Sequence, residues 1–137
     1  MIRKIVLFSG LVCSGFVFLA FQEKPKFNLK ESVERGKDIY ITYCLTCHLD
    51  QGEGIEDVYP PLAKADYLMA DKKRAIQQVL YGATGEMKVN GKTYNTEMTG
   101  FDLTDQQASD VVNYIRNSFG NKGPAVTPEE VKVSRKK

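Results

Sequence analysis

The sequence predicts an all-α fold of three to four helices whose long loops wrap a bound group. Two observations carry this expectation. Apolar residues recur every three or four places in three separate stretches, which is the helical period. Between those stretches lie Gly- and Pro-containing segments too long for simple turns, and three helices joined in this way make a poor core on their own.

The first helix should begin near Glu31-Ser32 and run to about Tyr43, with Val33, Gly36, Ile39-Tyr40 and Tyr43 on one face. Gly36 within it costs about 1 kcal/mol against alanine, a cost that a close helix-helix crossing would explain. The segment from Asp50 to Pro61 reads as loop, with Gly52, Gly54, Pro60 and Pro61. A second helix should start at Asp71 as N-cap and stop at Gly82, burying Ala75, Ile76, Val79 and Leu80. Residues 82–100 read as irregular, apart from a tight turn at Asn90-Gly91.

The last helix is the best defined. Thr104 and Gln107 form a capping box, and Leu103 and Ala108 take the staple positions. Ala108, Val111, Val112, Ile115 and Phe119 form its stripe, and Gly120 is expected as its C-cap. These elements divide the chain into residues 1–21 as a signal peptide or N-terminal membrane anchor, 22–30 as a linker, 31–120 as the domain, and 121–137 as an extended tail over the surface.

The chain has 137 residues, of which 42% are hydrophobic, enough for one domain. Arg3 and Lys4 account for the whole formal net charge of +2, and charges in the remainder balance. No basic stripe suggests nucleic acid; the one dense basic run is terminal, Arg135-Lys136-Lys137. After Met1-Ile2-Arg3-Lys4, residues 5–21 are apolar or small throughout, the layout of a secretory signal. A cleaved signal, a retained anchor that tethers the chain to a membrane, and a lipidated Cys13 all remain open. Each would deliver the domain to a periplasmic or other extracytoplasmic location.

The chemistry lies in Cys44-Leu45-Thr46-Cys47-His48, the attachment signature of a c-type haem. Two thiols must reach two vinyl groups on one edge of the porphyrin while the adjacent imidazole turns beneath it to bind iron. Rival readings are weaker. A thioredoxin-like pair needs a strand before it and a helix after it, the reverse of the order here. A zinc site would lack a fourth ligand, since the chain contains one histidine and no cysteine beyond Cys13 outside the motif. With His48 used on one side of the iron, the other axial ligand is Met98, with Met87 as fallback, or no protein ligand at all.

On these residues the chain resembles class I cytochromes c from about Glu31 to Gly120. The order is a helix leading into Cys-x-x-Cys-His, a Gly-rich loop, Pro60-Pro61-Leu62, a central helix, a Met loop, and Leu103-Thr104-Asp105 opening a final helix. The resemblance implies the cytochrome c fold around one covalent haem c and its iron. It implies that the Pro60 carbonyl accepts a hydrogen bond from His48, that Leu62 packs on the haem, and that Gly36, Tyr40 and Tyr114 form the crossing of first and last helices. In this chain Thr99-Gly100-Phe101 follows Met98 where the family often has proline, and residues 88–94 look like an inserted hairpin of the kind found in electron-donor modules of larger redox enzymes. Tyr67 and Tyr94 are read as structural, with contact to haem propionates as the alternative.

The expected function is single-electron transfer between redox protein partners through a His/Met-ligated iron, free or as a subunit of a larger enzyme, with no catalysis of its own. Partners would dock transiently through a small interface. The alternative is a five-coordinate haem protein that binds or senses a gas. A peroxidase is disfavoured because the lone histidine is already used.

Overall fold

Asn28 opens the first helix: its side-chain oxygen accepts from the backbone N–H groups of Lys30 and Glu31. Residues 26–135 are described by this computed structural model, so the expectations for the leader, for Cys13 and for Lys136-Lys137 lie outside the described residues. Helix α1 spans Leu29–Tyr43, beginning two residues inside the segment expected as linker. Its buried face is Ser32, Gly36 and Tyr40, a stripe at intervals of four that continues to Cys44. Tyr43, expected on that face, is instead exposed and stacks on Phe101.

A single turn, α2 (Leu45–His48), follows directly; Cys44 ends one helix and begins the next. Helices α3 (Asp66–Ala70) and α4 (Lys72–Tyr81) come next, with Asp71 between them capping α4 through the backbone N–H of Arg74. No periodicity marks α3, because five residues are too few to reveal a helical period.

Residues 82–100 are more regular than expected. Strand β1 (Gly82–Ala83) pairs antiparallel with β4 (Met98–Thr99), and β2 (Met87–Val89) pairs with β3 (Lys92–Tyr94) across Asn90-Gly91. Both turn residues have positive φ, 49° and 82°, as a tight hairpin turn of this hand requires. The hairpin is tied down at its tip. Asn90 and Asp66 exchange backbone-to-side-chain hydrogen bonds, and Lys92 pairs with Glu56 and Asp57.

Helix α5 (Asp105–Asn117) carries the expected Thr104–Gln107 capping box. It ends at Ser118 rather than at Gly120, and both Phe119 and Gly120 turn back through positive φ. Helices α1 and α5 form the main packing contact, with Gly36 at the crossing. Asp110 sits beside it, buried, and receives hydrogen bonds from Ser32, Arg35 and Gln106.

The tail is the clearest correction. Residues 121–137, expected to run extended over the surface, include helix α6 (Pro128–Ser134), which packs on α4 and α5 and buries Val131 completely. Thr127 and Glu130 form a second capping box with Pro128 in the first turn. Upstream, the buried Val126 carbonyl accepts from Ser109 and Asn113, fastening the tail to α5. Six helices are thus present among the described residues, against the three to four expected.

Candidate functional site

The elements surround a cavity of about 410 Å³, within the usual range of roughly 300–1,000 Å³ for small-molecule and cofactor sites. One side is the motif itself: Tyr43, Cys44, Cys47 and His48. Pro60, Pro61 and Leu62 continue that side, and Tyr67 and Leu68 of α3 extend it. Val79 and Gln78 of α4, Val111 and Ile115 of α5, and Met87 and Val89 of the hairpin add further walls. The run from Thr96 to Thr99 closes it, with Met98 in that run.

The cavity therefore brings together Cys44, Cys47, His48, Pro60, Leu62 and Met98, all named from the sequence. It also takes in Met87 and Tyr67, but not Tyr94, which is buried in the hairpin opposite Met87. Tyr67 accepts a hydrogen bond from Gln78 and lies beneath the Arg74 guanidinium, 3.8 Å from its ring centre. Sequence reasoning did not find Val89 or Gln78 as lining residues. Val89 belongs to a three-residue strand, and Gln78 interrupts an apolar face; neither leaves a periodic signal.

Local geometry explains how the motif is aimed. The α2 turn places Cys44, Cys47 and His48 on one helical turn, and Leu49 ends it at φ 60°. The Tyr40 hydroxyl donates to the Leu49 carbonyl at 2.6 Å, fixing the motif from below. The chain then loops back. Gly54 donates to the His48 carbonyl, while Leu62 and Ala63 donate to the Gly52 carbonyl. Gly54 has φ +66°, and a Cβ there would stand 2.3 Å from the Tyr59 carbonyl oxygen, so only glycine lets the loop lie flat against Tyr59-Pro60. The result is that the Pro60 carbonyl lies 3.0 Å from His48 Nδ1. A carbonyl can only accept, so Nδ1 carries the proton and Nε2 is left with its lone pair.

The electrostatics suit a neutral metal-binding imidazole. Burial lowers the pKa of His48, and the Pro60 hydrogen bond only partly offsets this. Burial likewise pushes the Cys44 thiol up to about 12, with the neighbouring Cys47 adding to the shift. Cys44 and Cys47 stand as separate thiols, with Cys44 buried and Cys47 partly exposed. Met98 is held by the β1–β4 pairing: a Cβ on Gly82 would stand 2.1 Å from the Met98 carbonyl oxygen.

A large apolar cavity with two unpaired thiols, one oriented imidazole and thioethers fits a covalently tethered porphyrin. The donor set fits a bare metal ion poorly: among the described residues no three His, Cys, Asp or Glu side chains converge.

Comparison with known proteins agrees. The cytochrome c family model matches residues 33–119. The chain belongs to the cytochrome c family. Its cofactor is therefore covalently bound haem c with iron, and electron transfer is the activity that membership supports. This cytochrome c is 38% identical over 112 residues to cytochrome c-552 of Thermus thermophilus, a match spanning 74% of the chain and 85% of that protein. It is 31% identical over 91 residues to the cytochrome c subunit of alcohol dehydrogenase (quinone) from Gluconobacter oxydans (strain 621H). It is 34% identical over 107 residues to the gluconate 2-dehydrogenase cytochrome c subunit of Pantoea cypripedii. Those two matches cover 65% and 75% of the chain but only 19% and 24% of the subunits, so the chain spans about a fifth to a quarter of their length. Among the described residues no helix is long and apolar enough to cross a membrane.

Proposed function

We propose that this cytochrome passes single electrons between redox proteins, with Cys44 and Cys47 as the tethering thiols and His48 and Met98 as the axial ligands. The observation that carries the reading is the cavity that gathers these four side chains, with His48 Nδ1 already committed to the Pro60 carbonyl. When bound, the haem supplies an iron that cycles between Fe(III) and Fe(II). The remaining work belongs to the chain. Pro60 fixes the imidazole ring and leaves Nε2 to ligate. Leu62, Leu68, Val79, Val111 and Ile115 keep water out, and an apolar surround favours the state of lower charge. With Met98 holding the iron as well as His48, no open position would be left for a substrate or gas.

Cys47 is partly exposed and Tyr43 is exposed, which supports exchange of the electron at the motif edge with partners that dock briefly. The apolar leader at residues 5–21 supports a periplasmic or extracytoplasmic location, with tethering to the membrane if it is retained. The coverage of cytochrome c-552 favours a free single-haem carrier, and the dehydrogenase subunits favour a partner within a larger enzyme. Both are electron-transfer roles.

The test is spectroscopic. The ferric protein should be low-spin with the weak far-red band of sulfur ligation. Met98→Ala should abolish that band and leave it high-spin, whereas Met87→Ala should retain it. A wild-type protein that is high-spin when ferric and binds CO readily once reduced would instead identify a gas-binding haem protein.

A further inference from the structure

Arg116 is 3% exposed, near the C-terminus of α5. One nitrogen donates to the Leu68 carbonyl at 2.6 Å, while Nε is buried with no hydrogen-bond partner among the described residues. Among the described residues it belongs to no ion pair. The carboxylate whose charge reaches it is Asp71, exposed at the N-cap of α4. Burial depresses the Arg116 pKa and Asp71 offsets part of that, but a guanidinium keeps its proton in proteins. The fold therefore holds a positive charge out of water with little to neutralise it, an arrangement that normally costs several kcal/mol. The hydrogen bond to the Leu68 carbonyl, in the last turn of α3, needs a donor but not a full charge, and a neutral amide would supply one without that cost.

Its position gives a reason. Arg116 adjoins Ile115 in sequence and grips Leu68, and both of these line the cavity. Arg74 holds the preceding carbonyl, Tyr67, but is only half buried, so water screens it. Resting on the haem reading above, we propose that Arg116 is a built-in cation that sets the reduction potential: it disfavours Fe(III) relative to Fe(II) across the apolar wall formed by Leu68 and Ile115. It touches no reacting atom. It acts through a medium of low dielectric, where a unit charge is felt far more strongly than in water.

The structure supplies its own control. A Cβ on Gly123 would stand 3.4 Å from Arg116 Nε, with the flexible tip of Met69 at 3.1 Å and the Arg116 carbonyl oxygen at 3.3 Å, so the neighbours must give by a few tenths of an ångström. Gly123→Asp thus brings a carboxylate to the guanidinium while Arg116 itself stays in the chain, and Gly123→Asn makes the same steric demand without charge.

The experiment is a spectroelectrochemical titration of the haem-loaded proteins, with the far-red band recorded for each. Arg116→Gln and Gly123→Asp should each lower the potential, shifting the one-electron equilibrium about tenfold toward oxidised, or about 59 mV. Arg116→Lys and Gly123→Asn should stay close to the parent. Equal potentials in the Gln and Lys variants, whether shifted or not, would overturn the proposal, because charge would then not be the cause. If the Arg116 variants fail to fold, the Asp-versus-Asn comparison at position 123 decides alone, and no difference between them refutes it. Failure of the haem reading looks different: no porphyrin attached, or no far-red band, in the parent itself.

Discussion

Gly36 lies against the backbone of Asp110 so closely that a Cβ on Gly36 would stand 2.0 Å from the Asp110 carbonyl oxygen. Tyr114 would also be met, at 2.8 Å. The crossing of α1 and α5 is set by this contact, and the two helices carry the motif at one end and cavity-lining residues along the other. Gly36→Ala gains about 1 kcal/mol in helix propensity. Opening a packed crossing costs typically about 1–3 kcal/mol, and more where backbone is struck. The clash should win: we expect a net loss of about 2 kcal/mol, or roughly 10 °C in Tm for a domain of this size. Thermal unfolding followed by circular dichroism checks this; a variant as stable as the parent would mean the crossing can slide.

The parts of the fold legible in the sequence were those with several turns of apolar period or with two-residue signals. Helices α1, α4 and α5 have the first, and the Asn90-Gly91 hairpin has the second. That Cys44, Cys47, His48 and Met98 would face one cavity was legible from the spacing of the motif and from the place of Met98 just before the last helix. What escaped was short or held by tertiary contacts. The β1–β4 pair is two residues long on each side and exists because Gly82 and Gly100 allow backbones to meet. Helix α6 does carry a local signal: Thr127-Pro128-Glu129-Glu130 is a capping box with proline in its first turn, set in a segment whose Gly123, Pro124 and Pro128 otherwise favour extended chain. The cavity wall from Val89 could not be read, since a three-residue strand has no period.

Helix α6 buries one apolar side chain fully. Val131 is completely buried between α6 and its neighbours, beside the equally buried Val126. Val131→Ala removes two methyl carbons from a closed site and should cost about 2 kcal/mol. Because the cavity lies elsewhere, the visible spectrum should be unchanged. Urea unfolding measured beside the absorption spectrum separates the two effects; a lost far-red band would show that α6 also supports the haem site.

Acid should loosen the same helix. Burial alone would raise the Glu130 pKa, but the Lys72 ammonium and the Thr127 hydrogen bonds outweigh it, and the net shift is below the ordinary 4.5. The unfolded chain then binds the proton more tightly than the folded one. The contribution is complete above about pH 4.5 and is lost as the pH falls through the lower folded value. With side chains 32% and 40% exposed, the Lys72–Glu130 pair is screened, and about 1 kcal/mol is an upper bound. The difference in stability between parent and Glu130→Gln should therefore be present at pH 7 and shrink steadily as the pH is lowered below 4.5. A difference that stays constant over that range would place the effect in packing rather than charge.

The placement of Met98 depends on Gly82, and a pair of variants can isolate why. Gly82 and Gly85 both have positive φ, +80° and +81°. Either one replaced by alanine is strained at the backbone, by about 1–3 kcal/mol. Only at Gly82 is there also a collision: the added Cβ would lie 2.1 Å from the Met98 carbonyl oxygen and 2.8 Å from the Gly100 nitrogen, whereas at Gly85 nothing lies within 4 Å. Gly82→Ala must therefore push β4 away from β1 and carry the Met98 backbone with it. If Met98 is the axial ligand, this variant should show a weakened far-red band and a growing high-spin fraction as the temperature rises. Gly85→Ala should lose some backbone stability yet keep the band intact. The measurement is ferric absorption against temperature for both. Equal spectra in the two would mean that the position of the methionine sulfur does not depend on the strand pairing, and that the segment Thr96–Thr99 is anchored from the α5 side instead.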